Sequence, residues 1–393
     1  KYSKRIFELM AESALHTNFT QAEFEKQKAK LIEGLKATEK SVPSVSRRVE
    51  NALAYGKSHP FGEFITEASI NNITLDDVIL NFNTYFVPEN AYLVIVGDVN
   101  YDEIKAHVTT LFESWLKAAA PNLTYTNPKD VQYTQINFVD MPNAVQSEIA
   151  VMNLSSLKMT DKDYFAVIVA NQILGGDYNS YLMSNLREKN AWTYDAGSNI
   201  TPSKYISRFI AYSQVRNAVT DSAVVETLKE IKRIRLEKVS DKELQNVKAS
   251  YIGKFVMQIE KPQTIANYAL RIKTQGLPED FYENYIKNIS AVTAEDVMRV
   301  ANTYFHPEIA RIGKGEEVLP ALEKLKIPIF YFDKYGTPTE KPNYKRAFPT
   351  GVTAKSVIEN YIKVIGGEKA LRNVKSLITV DSGTIKGAPV ELT

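Results

Sequence analysis

The sequence has no cysteine, few histidines and no uninterrupted apolar stretch long enough for a membrane helix. The absence of cysteine excludes disulfides, thiolate nucleophiles and cysteine-liganded zinc. A membrane-spanning helix needs about 18 or more apolar residues in a row, so none is predicted. Charge of either sign is not in excess, because 48 Lys and Arg face 46 Asp and Glu for a formal charge of +2. A nucleic-acid partner, which requires a strongly basic surface, is therefore not expected.

Recognisable catalytic motifs are also missing. The four histidines form neither H-E-x-x-H nor H-x-x-E-H, in which two histidines one helical turn apart bind zinc; they are His16, His59, His107 and His306. The chain has no G-x-S-x-G nucleophile elbow and no phosphate-binding loop. His59 lies in the sequence SHPFG, where a role in a turn is the better interpretation.

An internal repeat organises the chain. The sequence ITLDDV at 73–78 resembles VTAEDV at 292–297, and NTYFVPE at 83–89 resembles NTYFHPE at 302–308. Both pairs are 219 residues apart, and FTQAEF at 19–24 resembles VSDKEL at 239–244 at a spacing of 220. Three blocks in one order at nearly one spacing indicate a duplicated domain, since the period is far too long for a solenoid.

Each repeated block predicts a capped helix followed by a turn. Thr74 and Thr293 are suitable N-cap residues, with acidic residues in the first turn after each of them. Pro88 ends the first of these helices. Residues 91–96 (AYLVIV) then read as a buried strand. The counterpart at 310–315 (ARIGKG) reads as a poor central strand.

The second copy predicts an α+β fold. Strands are expected at 135–139, 148–154, 193–200 and 208–214, and helices at 161–174, 181–188 and from 221 to about 304. Strands and helices are segregated, so we expect two duplicated α/β sandwich domains, each an antiparallel-rich sheet with helices packed on it. The first is incomplete: if the copies match, about 88 of its residues lie upstream of Lys1. The predicted organisation is 1–117 for the end of the first domain, 118–130 for a linker, 131–335 for the second domain, 336–352 for a linker and 353–393 for an appended segment.

One stretch of the second copy combines groups that bind peptides. In NLREKNAWTYD at 185–195 a helix ends and a strand begins within a few residues. Arg187 offers bidentate donors to a carbonyl or carboxylate, and Tyr194 adds one hydroxyl. Taken alone, these residues favour a surface arginine and a half-buried strand tyrosine.

The same stretch resembles the Arg–Tyr motif of the insulinase/pitrilysin-type zinc peptidases, the family that includes mitochondrial processing peptidase. LREKNAWTY at 186–194 carries that resemblance, together with HPFG at 59–62, VGD at 96–98 and ANQILGG at 170–176. The resemblance implies two halves that close around a peptide chamber. One half binds zinc, and the other often lacks zinc ligands and holds the substrate backbone. Arg187 and Tyr194 fall on the substrate-binding pair with the family's spacing.

The resemblance leaves open which half this is. In the family, the zinc motif would precede Lys1, and a later glutamate ligand would lie within residues 26–40, where Glu33 is the candidate. Gly34 and the sequence at 59–67 favour the non-catalytic type. We therefore expect a substrate-binding half that orients peptide for a zinc-bearing partner. The alternatives are a zinc-bearing catalytic half and a non-enzymatic assembly homologue.

Further expectations follow from the same resemblance. This chain should bind no zinc and be inactive alone, with zinc in the complete enzyme or its partner. The expected partners are a peptide or unfolded protein and a homologous peptidase half, in a homodimer or heterodimer. The tail at 353–386 resembles an extension found in bacterial cell-envelope proteins, which favours a periplasmic location.

Overall fold

A computed structural model describes residues 3–344, 351–376, 381–385 and 388–392 of the 393-residue chain. The chain divides into two compact units, Lys1–Pro342 and Asn343–Thr393. The division lies inside the predicted linker at 336–352. Residues 118–130, the other predicted linker, contain no helix or strand. None of the helices in the described ranges is long and apolar enough to cross a membrane.

A mixed six-stranded sheet forms the centre of the larger unit. Its spatial order is β3-β4-β2-β5-β1-β6. The strands are β1 (Ile136–Asp140), β2 (Gln146–Ser155), β3 (Ala196–Ile200), β4 (Ser207–Arg216), β5 (Glu308–Gly313) and β6 (Ile329–Phe332). β1 pairs parallel with β5 and β6, and the other pairings are antiparallel. Every strand of this sheet belongs to the second copy, and the α+β fold class is confirmed.

Helices cover both faces of the sheet. The first-copy helices are α1 (Ser3–Leu15), α2 (Gln21–Thr38), α3 (Val42–Tyr55), α4 (Glu67–Asn72), α5 (Leu75–Tyr85) and α6 (Tyr101–Phe112). The second-copy helices are α7 (Tyr164–Asn171), α8 (Thr220–Leu236), α9 (Asp241–Ile259), α10 (Pro262–Gln275), α11 (Tyr285–Ala291), α12 (Ala294–Tyr304) and α13 (Gly315–Leu322). Two π-helical turns, Gln172–Gly176 and Met183–Lys189, end the predicted helices at 161–174 and 181–188.

The two copies are joined through helix α3. Val45 and Val49 of this first-copy helix pack with Val139 of β1 in one buried cluster. The opposite face of the sheet packs on α8, where Ser147 of β2 contacts the hydroxyl of Thr220 at 2.8 Å. A first-copy helix therefore completes the core of the second copy. The 219-residue spacing of the repeats does not predict this packing.

The duplication is visible in the helices. α5 and α12 begin and end 219 residues apart, the spacing found in the sequence. Thr74 caps α5 by accepting from the backbone N–H of Asp77, and Thr293 caps α12 by accepting from that of Asp296. In both, the aspartate accepts from the threonine N–H in return, which completes a capping box. The N-cap predictions are confirmed.

Two strand predictions were wrong, in opposite directions. Residues 91–96 form no strand and lie partly exposed, whereas the equivalent segment of the second copy is β5, a central strand between β2 and β1. β5 is held by both neighbours, which come from residues 136–155. The described part of the first copy has no counterpart of β1 or β2, so residues 91–96 have no ladder to join. Whether each segment forms a strand is decided by the strands available to pair with it, and not by its own β-propensity.

The smaller unit contains α14 (Ala354–Val364), α15 (Glu368–Asn373) and a two-stranded antiparallel ladder of β7 (Asp381–Ile385) and β8 (Ala388–Leu392). The amphipathic sequence at 353–365 predicts a helix, which is found as α14, and Thr353 caps it. The sequence at 377–385 predicts a strand; Asp381–Ile385 form β7, and residues 377–380 lie outside the described residues.

Candidate functional site

Arg187 lies on the second π-helical turn, beside two side chains that contact its guanidinium. The guanidinium carbon is 5.0 Å from the ring centroid of Tyr178. Its Nε atom is 3.5 Å from Oε1 of Glu188, and the Arg187 side chain is 36% exposed. The hydroxyl of Tyr178 donates to the same Glu188 oxygen at 2.9 Å, and this bond raises the pKa of Tyr178 above its ordinary value. In the described part of the chain, no hydrogen bond or ion pair engages the two terminal nitrogens of Arg187.

The backbone around Arg187 is fixed to helix α8. The side-chain amide of Asn185 donates to Oε2 of Glu226 at 2.7 Å and to Oε1 of Glu230 at 2.5 Å. The bond from Asn185 lowers the pKa of Glu226. Asn190 donates back to the side-chain oxygen of Asn185 at 2.7 Å. These bonds hold the π-helical turn, and Arg187 with it, against helix α8.

A tight reversal leads from Arg187 to Tyr194. The N–H of Ala191 donates to the carbonyl of Arg187 at 2.9 Å, and the N–H of Trp192 donates to that of Leu186 at 3.0 Å. Ala191 adopts a φ of 52°, a left-handed conformation that is unfavourable for a residue with a Cβ atom. The chain then enters β3 at Ala196, so the segment carrying Tyr194 is held at both ends.

Tyr194 projects into solvent immediately before β3. Its side chain is 89% exposed, unlike the half-buried strand tyrosine favoured by the residues alone. Within the described ranges, no hydrogen bond or ring contact joins Tyr194 to Arg187. The structure thus gives two accessible donors on one anchored segment, and their role as a substrate-binding pair stays a prediction.

Gly175 explains why the first π-helical turn lies so close to this segment. A Cβ atom at this position would be 2.2 Å from the backbone nitrogen of Ser198 on β3. Only glycine permits that approach. The neighbouring Asn171 accepts a hydrogen bond from the Ser198 hydroxyl at 2.9 Å. Gly175 therefore seats the end of this helix against the edge strand of the sheet.

Sequence reasoning missed Tyr178 as part of this site. Tyr178 precedes Arg187 by nine residues, and no spacing rule connects a loop residue to a π-helical turn. Glu188 is adjacent to Arg187 in the motif, but its role depends on its hydrogen bond with Tyr178. A sequence motif does not encode that tertiary contact.

The described residues do not fit a zinc site. Glu33 is exposed on α2, and no three His, Asp or Glu side chains in the described part of the chain lie close enough to hold a metal ion. The zinc expectations, including Glu33 as a ligand, therefore stay predictions. His59 is buried, its Nδ1 accepts from the N–H of Phe61 at 3.1 Å, and its ring stacks on Tyr55 at 5.6 Å. These contacts support a structural role in the turn.

Comparison with known proteins finds similarity to M16 peptidases. The family model described as the peptidase M16 inactive domain matches residues 72–251. The probable inactive metalloprotease YmfF of Bacillus subtilis is 22% identical over 242 residues, covering 60% of this chain and 56% of that protein. Other curated relatives are named zinc proteases or a non-peptidase homologue. The chain spans about half the length of the first of these relatives.

Solved structures share the fold of this chain. A peptidase M16 inactive domain from Pseudomonas fluorescens superposes with a TM-score of 0.70 at 21% identity, covering 78% of this chain and 73% of that one. The periplasmic protease PqqL from Escherichia coli gives 0.66 at 15% identity, covering 79% of this chain and 34% of that one. Residues 72–251 match the inactive domain of peptidase M16, and the relatives carry M16-like names, which bears out the predicted resemblance to the insulinase type.

Proposed function

We propose that this chain is the substrate-binding half of an M16-type peptidase and orients an extended peptide for a zinc-bearing partner. The observation that carries the proposal is the pair of unpartnered donor groups on one anchored segment. Among the described residues, the terminal nitrogens of Arg187 have no hydrogen-bond or ion-pair partner, and the Tyr194 side chain is 89% exposed. Exposed donors on a fixed backbone are suited to a ligand that arrives from solvent.

The chemistry of the pair suits a peptide backbone. A guanidinium donates two parallel hydrogen bonds to a carboxylate or to closely spaced carbonyl oxygens. The Tyr194 hydroxyl adds one donor seven residues further along the chain. Donors fixed before the peptide arrives lower the entropic cost of orienting it, which is how a non-catalytic half would assist cleavage elsewhere.

Two alternatives predict different observations. A zinc-bearing half would need ligands outside the described residues, because Glu33 has no acidic or histidine neighbours that complete a metal site. An assembly homologue would not bind peptide. The relatives are named as a zinc protease, an inactive metalloprotease and a non-peptidase homologue. Their names therefore do not decide whether the complete protein cleaves peptides, and its activity is part of the proposal.

The location and the partner are proposed together. The fold similarity to the periplasmic protease PqqL supports the cell envelope of a bacterium as the location of this chain. That protein is about three times as long as the part this chain covers, which leaves room for a second half of the same fold. A homologous half, supplied as a partner subunit, would complete the peptide chamber.

The test is the affinity of the chain for an unfolded protein. Fluorescein-labelled β-casein serves as the probe, and fluorescence anisotropy gives Kd. Losing a hydrogen bond to a charged group costs about 1.5–3 kcal/mol, so Arg187→Ala should weaken binding roughly ten- to hundredfold. Tyr194→Phe should weaken it about fivefold, since a neutral hydrogen bond contributes about 1 kcal/mol.

Lys189→Ala is the matched control. Lys189 is an exposed cation two residues from Arg187, so its loss changes net charge equally but removes no proposed contact. Binding within twofold of the unaltered chain is expected for this variant. Equal effects of Arg187→Ala and Lys189→Ala would show non-specific charge attraction and contradict the proposal. No binding of β-casein by the unaltered chain would favour the assembly homologue, and stoichiometric zinc by metal analysis would favour the catalytic half.

A further inference from the structure

Three side chains around Arg187 form a connected group. The Tyr178 ring lies against the guanidinium at 5.0 Å, Glu188 is 3.5 Å from the Arg187 Nε atom, and the Tyr178 hydroxyl donates to Glu188 at 2.9 Å. Each member therefore contacts the other two. These contacts use the Tyr178 ring and the Nε atom of Arg187. Among the described residues, no hydrogen bond or ion pair occupies its two terminal nitrogens, which leaves them available to a ligand.

The loop that carries Tyr178 is itself anchored. Asp177 accepts from the backbone N–H of Tyr178 at 2.7 Å, from the Lys254 ammonium at 2.9 Å and from the Gln172 side chain at 2.5 Å. Burial opposes ionisation of Asp177, yet the bonds from Lys254 and the Tyr178 N–H lower its pKa. A carboxylate that is ionised at neutral pH thus ties the loop to helix α9 and to the first π-helical turn.

An arginine side chain has several rotatable bonds, and an exposed one samples many conformations. Contact with an aromatic face and with a carboxylate on Nε restricts those conformations without using the donors needed for a ligand. Since Tyr178 is 52% exposed, its ring contributes little to the core. A role toward Arg187 accounts for its position better than a role in stability.

We propose that Tyr178 and Glu188 are positioning residues, which hold the Arg187 guanidinium with its terminal edge presented to the carbonyl or carboxylate oxygens of a peptide. This inference rests on the proposed peptide-binding function. Tyr178 acts through its ring, and Glu188 acts both on Arg187 and on the orientation of that ring. Neither residue needs to touch the peptide.

The experiment is a double-mutant cycle on β-casein affinity, measured by anisotropy on the full chain. Tyr178→Ala and Glu188→Ala are each expected to weaken binding three- to tenfold when Arg187 is present. In the Arg187→Ala background, each should change Kd less than 1.5-fold, because no guanidinium remains to be positioned. Tyr178→Phe, which keeps the ring, should restore affinity to within twofold of the unaltered chain.

The control is an exposed acid–arginine pair on first-copy helix α1. Glu8 lies 2.9 Å from a terminal nitrogen of Arg5, so Glu8→Ala removes an exposed ion pair away from the proposed site. It should leave Kd unchanged, and thermal unfolding of all variants should show that they remain folded.

The outcomes separate the two proposals. If Arg187→Ala weakens binding but Tyr178→Ala and Glu188→Ala do not, the positioning role is refuted while peptide binding by Arg187 stands. An effect of Tyr178→Ala that persists without Arg187 also refutes positioning, because the tyrosine would then act directly or through the fold. If Arg187→Ala itself has no effect, the proposed function fails.

Discussion

Glu148 is a half-buried carboxylate at the contact between the two copies, and it predicts a pH-dependent stability. Its strand β2 alternates, so Ser147 and Ile149 face α8 while Glu148 lies on the face that packs on α3. Burial raises the pKa of Glu148 to about 7, and the nearby carboxylate of Glu50 on α3 adds to the shift. Among the described contacts, no hydrogen bond or ion pair compensates the Glu148 side chain.

The magnitude follows from the pKa. A carboxyl that titrates near 4.5 when unfolded and near 7 when folded binds more protons in the folded state between these values. Stability from this group is therefore greatest below about pH 4.5 and is lost as pH rises through 7. Each pKa unit corresponds to about 1.4 kcal/mol, which gives an upper limit of about 3 kcal/mol. Since the side chain is partly exposed, we expect roughly 1–2 kcal/mol after solvent screening.

The perturbation is Glu148→Gln, compared with the unaltered chain by urea unfolding at pH 5 and pH 8. Glutamine cannot ionise, so the variant should be more stable than the unaltered chain by roughly 1–2 kcal/mol at pH 8 and nearly equal to it at pH 5. Comparing the two proteins at each pH cancels the titration of all other groups. Glu63→Gln, at an exposed position, is the control. An equal difference at both pH values, or a less stable variant at pH 8, would refute the reasoning.

Two further predictions concern packing. Gly175→Ala should lower the free energy of unfolding by roughly 2–3 kcal/mol, because its Cβ atom would meet the backbone of Ser198. Its control is Gly253→Ala, in open space on α9, which should leave the free energy of unfolding unchanged or raise it by up to about 1 kcal/mol. Comparable losses in urea unfolding for both would contradict this account. Val49→Ala should cost about 2 kcal/mol by opening a cavity against Val139, and an unchanged urea midpoint would mean that α3 does not complete the core of the second copy.

The sequence predicts the helices and their caps well, since these depend on local chemistry. Thr74 and Thr293 are read from residues within one helical turn, and the structure confirms both. The strands depend on partners far along the chain. Residues 91–96, predicted as a strand, form none, and the segment predicted as a poor strand forms the central strand β5. Periodicity could not separate them, because the better apolar run belongs to the segment without a ladder.

The candidate site shows the same limit. Arg187 and Tyr194 are found because a motif places them at a fixed spacing in one stretch of sequence. Tyr178 and Glu188 gain their role from a loop that folds back over a π-helical turn, and α3 gains its role by packing on another copy. Contacts of this kind arise from the tertiary fold, and no local pattern encodes them.

The central claim is that peptide lies against Arg187 and Tyr194, and site-specific photocrosslinking tests it most directly. Benzoylphenylalanine is incorporated at position 194 of the full chain, which is then irradiated with fluorescein-labelled β-casein. Position 101 serves as the control, because Tyr101 is similarly exposed but lies on first-copy helix α6. We predict a crosslinked product at position 194 that is lost with Arg187→Ala, and none at position 101. No crosslink at position 194, or equal crosslinking at both positions, would contradict the account.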